Sequence, residues 1–288
     1  MHTTPQRVIQ AAGAGRWFPG ERAALQSMVE AWMDDITTPA PAERIAAAIS
    51  PHAGYVYSGP VTAHVFHALR EQARRGLAPD TLIILGFSHS RGFAGVAVMD
   101  ADALATPLGP ARLDTEAARL LTGHSDRIFF DNRPHRGEHS AENQIPFAQA
   151  ALPETLLLPL IIGDHDYKTR ATLLKALEQL AATKKIAVIA SSDMLHDPDY
   201  DLVTRTDHQT LEKTTAMDTE ALLTDWQPQH QIYCGISAVA VALEFARQQG
   251  CREGRMLHYR NSGDDHPESR GQWVVGYGAV IFPGAAAD

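Results

Sequence analysis

Short, continuous runs of apolar residues alternate along the chain with longer stretches in which apolar positions recur at helical spacing. Residues 45–49, 82–85 and 186–190 are the clearest of these runs, and each contains only Ala, Val, Leu or Ile. Runs of this length, bounded by turn residues, are typical of strands buried on both faces of a parallel sheet. The alternation predicts an α/β fold with a mostly parallel or mixed central sheet flanked by helices.

The helical stretches fall between these strands. Apolar spacing predicts an opening helix over residues 20–33 that packs on the domain. Pro60 marks the predicted start of the next helix, which ends before Gly76. Further strands are predicted at residues 96–99, 111–113, 155–163 and 273–282, and further helices at residues 115–122, 167–182, 200–217 and 234–250.

The length and charge of the chain limit its organisation and its partners. No linker or charge run divides the 288 residues, so one domain over residues 1–288 is expected, with residues 284–288 as a loose tail. The net charge is −9, whereas nucleic-acid binding relies on clustered Lys and Arg. We therefore expect a small-molecule substrate and no nucleic acid.

The sequence also predicts a protein that does not bind membranes and is located in the cytoplasm. No apolar run approaches the roughly 20 residues that span a bilayer, and residues 1–7 lack the apolar region of a signal peptide. Cys234 and Cys251 are the two cysteines, and a disulfide between them is not expected in a reducing compartment.

Histidine follows three of the predicted strands. The chain has 14 histidines, roughly twice the average usage, and His52, His89 and His196 each lie in the turn after a buried run. The carboxyl ends of parallel strands meet at one edge of a sheet, where ligands bind. The three turns are therefore predicted to form one site, and histidine there indicates metal or proton chemistry.

Asp193 and His196 are the candidate catalytic pair. On the first turn of a helix, a spacing of three would place them on one face. His196 would then serve as a general acid or base, with Asp193 orienting it or supporting a ligand histidine. The alternative is structural, in which Asp193 or Asp197 caps the next helix.

A second histidine motif supports a competing interpretation. His135, Glu138 and His139 fit the H-x-x-E-H pattern of inverted zinc proteases, which would make the chain a zinc hydrolase. That chemistry needs both histidines on one helical face, whereas Pro134 and Gly137 disfavour a regular helix. The zinc hydrolase therefore ranks third among the functional hypotheses.

Six blocks of the sequence resemble, in order, those of the Memo-like family. They are SPHAGYVYSG at 50–59, ILGFSH at 84–89, EHSAENQIPF at 138–147, SSDMLH at 191–196, YCG at 233–235 and GYGA at 276–279. RWFP at 16–19 is similar to that family's N-terminal aromatic block. Bacterial and archaeal members are called AmmeMemoRadiSam system protein B. The resemblance implies a fold like that of class III extradiol ring-cleaving dioxygenases, which use non-haem iron.

The resemblance further implies a metal ion held by His52, His89 and Cys234, with Asp193 and His196 lining the same pocket. Two imidazoles and one anion form the ligand set of facial-triad Fe(II) sites, so Fe(II) is the expected cofactor. Cys234 lies at a predicted helix N-terminus, which favours the thiolate. Since the ring-cleaving relatives use a carboxylate there, Zn or Cu are alternatives, and a buried apolar role remains open for Cys234.

The same blocks indicate a substrate side of the pocket. Tyr55 and Tyr57 flank the first histidine turn, and Ser58 with the following glycine brings the backbone close to a bound molecule. Packing is the alternative role for the tyrosines. His139 matches the family's Glu-His-Ser block and is expected to reach the pocket.

Three functions follow from these expectations. The first is a dioxygenase-like iron oxidoreductase acting on a small organic substrate, with a radical SAM protein as a pathway partner because relatives are named with such proteins. The second is a metal-containing module that binds a peptide or an anionic group without turnover, since a eukaryotic relative was described as a signalling adaptor. The third is the zinc hydrolase.

Overall fold

A mixed nine-stranded sheet forms the centre of the protein in a computed structural model that describes residues 5–284. Its strands are β2 (Ile45–Ser50), β3 (Thr81–Phe87), β4 (Val96–Val98), β7 (Ile128–Phe130), β8 (Leu156–Ile162), β9 (Ile186–Ser191), β10 (His196–Asp197), β11 (Arg255–Asn261) and β12 (Val274–Pro283). A separate three-stranded sheet contains β1 (Val8–Gln10), β5 (Ala103–Thr106) and β6 (Gly109–Arg112). The order in the large sheet is β10-β12-β2-β9-β3-β8-β4-β7, with β11 paired to β12.

Helices cover both faces of this sheet. They are α1 (Arg22–Asp34), α2 (Tyr55–Arg74), α3 (Thr115–His124), α4 (Ile145–Ala151), α5 (Tyr167–Ala181), α6 (Tyr200–Thr215), α7 (Thr219–Asp225), α8 (Ile236–Gln248) and α9 (Ser262–Asp265), with short 3₁₀ turns at Glu142–Gln144 and Pro267–Ser269. One apolar core lies under α1, α2 and α4, and a second lies under α3, α5 and α8. The α/β class with a mixed, helix-flanked sheet is thus confirmed. The predicted tail lies outside the described residues from 285 onward.

Parallel pairing in the middle of the sheet positions the histidine turns. Strand β9 pairs in parallel with β2 on one side and with β3 on the other. Every residue of β2 and β9 is buried, which explains why these strands are continuous apolar runs rather than alternating patterns. Their carboxyl ends meet at one edge, as predicted, because parallel strands share a direction. In the described part of the chain, no helix is both long and apolar enough to cross a membrane.

Helix α2 begins at Tyr55, five residues before the predicted start at Pro60. Pro60 lacks the N–H that would bond to the Val56 carbonyl, which costs a helix one hydrogen bond. Val56 is 63% exposed, so water can reach its carbonyl and reduce that cost. The first turns of α2 therefore carry the tyrosines next to His52.

The segment from Asp193 to His196 is not the helical turn that the spacing predicted. His196 pairs with Val275 in the two-residue strand β10, antiparallel to β12. Asp199 caps α6 by accepting hydrogen bonds from two backbone N–H groups, so neither Asp193 nor Asp197 has the capping role. Pairing with β12 holds His196 and Asp197 extended, and Pro198 disfavours helical backbone at Asp197 as well.

A buried carboxyl group supports this extended segment from behind. Asp207 on α6 accepts hydrogen bonds from the Leu195 backbone N–H at 3.2 Å and the Tyr259 hydroxyl at 2.9 Å. Gly276 on β12 packs so closely that an added Cβ would lie 1.7 Å from Asp207 Oδ2. Burial raises the pKa of Asp207 to about 7, above its usual 3.8.

The raised pKa predicts a pH-dependent stability that Asp207→Asn should remove. Above pH 3.8 the unfolded chain releases this proton while the folded chain retains it, so the free energy of unfolding should fall as pH rises toward 7. The slope from this group should approach about 1.4 kcal/mol per pH unit. Urea unfolding between pH 5 and 7 measures it as the difference between wild type and variant. Asp126→Asn, at an exposed carboxyl, is the control. A difference that is constant with pH would contradict the assignment.

Candidate metal centre

Three potential metal ligands converge at the carboxyl edge of the sheet. His52 follows β2, His89 follows β3, and Cys234 precedes Gly235, the N-cap of α8. One ring nitrogen of each histidine and the Cys234 sulfur all lie within 4.8 Å of one another. Cys234 Sγ lies 3.4 Å from His52 Nε2. If both atoms bound one ion, with an ion–sulfur bond of about 2.3 Å and an ion–nitrogen bond of about 2.1 Å, this distance would correspond to an angle of roughly 100° at the ion. The donor set therefore fits a single metal ion.

The orientation of His52 is fixed from the side opposite the sulfur. Its Nδ1 lies 3.2 Å from Ser191 Oγ. The Ser191 hydroxyl donates its hydrogen to the Ser140 carbonyl at 2.5 Å and accepts from Gln144 Nε2 at 2.9 Å. Since that hydrogen is already used, His52 must donate from Nδ1, which leaves its Nε2 to face Cys234.

A carboxylate fixes His89 in a similar way. Glu138 Oε1 lies 3.0 Å from His89 Nδ1, and Oε2 accepts the His89 backbone N–H at 2.8 Å. The Ser140 backbone N–H also donates to Oε1, at 2.9 Å. Burial opposes ionisation of Glu138, but its bonds to His89 hold the pKa of this carboxyl at about 2. Glu138 is thus an anion that holds a proton on Nδ1 and points the other ring nitrogen at the centre.

Cys234 is available as a thiolate. Burial by itself would raise the pKa of the thiol, but the neighbouring His52 and His89 hold it well below its usual range. Burial likewise disfavours the cationic form of His89, yet hydrogen bonds to Cys234 and Glu138 raise the pKa of His89 to about 10. The neighbouring imidazoles favour the thiolate, and a cation bound between the three donors would stabilise it in the same way.

Asp193 and His196 lie beside this centre and have separate contacts. Asp193 Oδ1 accepts the backbone N–H groups of His52 at 2.7 Å and of Ala53 at 3.2 Å, and Oδ2 is 4.0 Å from His52 Nε2. His196 borders the same cavity, with its ring 6.1 Å from that of Trp273. Asp193 therefore fixes the turn that carries His52, while His196 faces the space in front of the candidate ligands.

The cavity has a volume of about 830 Å³ and is lined mainly by aromatic and apolar side chains. Tyr57 and His139 border it, so both stay candidates for contact with a substrate. Tyr55 also borders it, but its hydroxyl donates to the Asn143 carbonyl at 2.7 Å, so this tyrosine also packs the core. Ser58 is buried, and its hydroxyl donates to the Ala53 carbonyl. That serine hydroxyl therefore holds the turn.

The sequence-based reasoning gave no role in the site to Trp17 or to Glu138. Trp17 stacks on His139 with ring centres 3.9 Å apart and an interplanar angle of 6°. The rings of His52, His89 and His139 lie between 5.1 and 5.2 Å from one another, so His139 is the third imidazole of the cluster. The resemblance of the RWFP block to the family's N-terminal aromatic block could have placed Trp17 at the site. The resemblance of the Glu-His-Ser block could likewise have indicated a role for Glu138.

The H-x-x-E-H motif lacks the helix that a zinc protease requires. Residues 132–137 form successive turns, and Gly137 has a φ of +78°. His135 is buried away from the large cavity, whereas His139 borders it. Because the two histidines share no helical face, the motif cannot hold an ion in the manner of that protease class.

The chain is similar to known proteins over nearly its whole length. The family model described as Memo-like protein matches residues 10–281. A MEMO1 family protein of Methanopyrus kandleri is 31% identical over 286 residues, covering 94% of this chain and 97% of its own length. A MEMO1 family protein of Nitrosopumilus maritimus is 31% identical over 274 residues, covering 93% and 97%.

Among solved structures, an uncharacterized protein from Escherichia coli is similar with a TM-score of 0.46 and 10% identity, over 83% of this chain and 99% of that one. The family match extends over nearly all the strands and over each element that carries a candidate ligand. The chain therefore belongs to the Memo-like family.

Proposed function

We propose that this protein is a mononuclear metal enzyme, a dioxygenase-like oxidoreductase that uses Fe(II) on a small organic substrate. The observation that carries the proposal is the convergence of His52, His89 and Cys234, in which each histidine has its Nδ1 occupied by a hydrogen-bond partner. Two neutral imidazoles and one thiolate match an Fe(II) triad that keeps positions for further ligands. The large cavity in front of them gives a substrate access.

Residues of the chain around the ion would supply proton transfer and hydrogen bonding to the substrate. A bound redox-active ion would supply electron transfer and Lewis acidity. His196 faces the cavity, where its imidazole can hold or move a substrate proton as a general acid or base. His139 stays neutral, since burial and the adjacent His52 lower its pKa to about 4. It can therefore accept a hydrogen bond from the substrate.

The thiolate keeps Zn and Cu as competing metals. Sulfur ligands are softer than the carboxylate of a typical Fe(II) triad, and both Zn and Cu bind them well. The metal therefore decides between redox chemistry, hydrolysis and binding without turnover. An exposed apolar rim that includes Val56 and Trp273 (63% and 59% exposed) favours binding of a larger ligand if no turnover occurs.

Anaerobic purification from unsupplemented cells, followed by elemental analysis, tests this proposal directly. We expect about one iron per chain, because the three donors form one site. Stoichiometric zinc would contradict the redox proposal. Absence of any bound metal would favour the binding module.

Cys234→Ser should change metal content, whereas His196→Ala should change the rate of a proton-transfer step. A neutral hydroxyl replaces a thiolate poorly, so Cys234→Ser should lose most of the metal. His196→Ala should keep the metal and slow a proton-transfer step by roughly 10²–10⁴-fold. Cys251→Ser is the matched control, since that buried thiol donates instead to the Glu253 carbonyl. Equal metal loss in the Cys234 and His196 variants would make His196 a ligand.

Glu138→Gln should weaken metal binding by roughly 10- to 100-fold, the usual effect of removing the carboxylate partner of a ligand histidine. The amide can present its NH₂ group to His89 Nδ1 and so favour the wrong tautomer. Competition with a chromogenic chelator measures the affinity. Glu178→Gln, at an exposed carboxyl on α5 away from the site, is the control. Unchanged affinity in Glu138→Gln would remove Glu138 from the metal site.

A further inference from the structure

We infer that the substrate carries an oxyanion, a carboxylate or phosphate, and that Arg16 binds this group at the outer end of the cavity. The inference rests on the proposed function in one respect, namely that the large cavity is where the substrate binds. It adds a chemical class for the substrate and a second recognition point away from the metal ligands.

The distribution of charge in the cavity points to Arg16. Among the described residues that line it, Arg16 is the one Lys or Arg, and Asp193 is the one Asp or Glu. Asp193 already accepts hydrogen bonds from the backbone N–H groups of His52 and Ala53. Within residues 5–284, no ion pair engages Arg16. A cation without a counterion at the mouth of a substrate cavity is suited to an anionic ligand.

A fixed turn holds Arg16 in place. The backbone N–H groups of Arg16 and Trp17 both donate to the Gly13 carbonyl, at 2.9 and 2.8 Å. Gly15 has a φ of +75°, which allows the chain to turn sharply here. Glu142 accepts the Gly13 N–H at 2.5 Å and ties the turn to the core of the protein. Arg16 is therefore presented by an ordered backbone, so little backbone entropy is lost on binding.

Aromatic stacking connects Arg16 to the metal ligands. Its guanidinium carbon lies 5.5 Å from the centre of the Trp17 ring, within the range of a cation–π contact. Trp17 stacks on His139 at 3.9 Å, and the His139 ring lies 5.2 Å from that of His52. A ligand that lies along this row could place one end at the metal and its acid group at Arg16.

The geometry of a guanidinium suits this role. The Arg16 guanidinium lies over the Trp17 ring, and within residues 5–284 none of its N–H groups has a hydrogen-bond partner. These donors can form the paired bonds that carboxylates and phosphates accept. The rest of the lining, including Tyr57 and Trp273, is largely aromatic and suits the apolar body of the ligand. The substrate is thus expected to be amphipathic, with its oxyanion distant from the reacting end.

Calorimetry with benzoate, phenyl phosphate and neutral benzamide tests the inference on the purified protein, with metal content measured in every sample. At low salt, at least one anion should bind roughly fivefold more tightly than benzamide, as expected for a partly exposed ion pair. Arg16→Gln should abolish this preference and leave benzamide binding unchanged, while Arg16→Lys should retain part of it. Arg22→Gln, at an exposed arginine on α1 outside the cavity, should behave as wild type.

Results that would overturn the Arg16 inference can be told apart from results that would overturn the proposed redox function. An anion preference that persists in Arg16→Gln would place the oxyanion at the metal centre and overturn the inference. Equal affinity for all three probes, or no detectable binding, would overturn it as well. Because metal content is measured separately, Arg16-dependent anion binding in a chain without iron would contradict the proposed redox function and leave this inference standing.

Discussion

The parallel pairing of β2, β9 and β3 is the constraint on which the site depends. Ser50 pairs with Ser191 at the ends of β2 and β9, and the Ser192 N–H continues this pairing by donating to the Ser50 carbonyl at 2.9 Å. Both faces of these strands are covered by helices, so a register slip would disturb two apolar cores at once. The turns that carry His52 and His89 are therefore held at fixed positions relative to each other.

Hydrogen bonds to the Nδ1 atoms of His52 and His89 then determine how the two rings are oriented. Ser191, a neutral group, orients His52, whereas Glu138, an anion, orients His89. The two imidazoles are thus held by partners of different charge, and the anionic partner makes His89 the more basic ligand. Cys234 completes the set from a different element, the start of α8, and its thiolate charge depends on both histidines.

The N-terminal segment gives the site its outer wall. Glu142 accepts hydrogen bonds from Ala12 and Gly13, and the Tyr55 N–H donates to the Trp17 carbonyl at 2.8 Å. These bonds hold Trp17 over His139, more than a hundred residues away in sequence. The candidate ligands come from the sheet edge and the turn before α8, while part of the cavity wall is supplied by a segment that precedes α1.

The sequence by itself determined the α/β class, the positions of the central strands β2, β3, β8 and β9, and the gathering of His52 and His89, because local apolar patterns and parallel topology decide these features. It did not determine that α2 begins before Pro60 or that residues 193–196 are extended, since both depend on solvent access and on pairing with β12. The tautomers of the ligand histidines and the stack of Trp17 on His139 were decided only by the tertiary structure. They arise from single contacts between residues distant in sequence, and a local pattern of apolar and polar residues cannot predict such contacts.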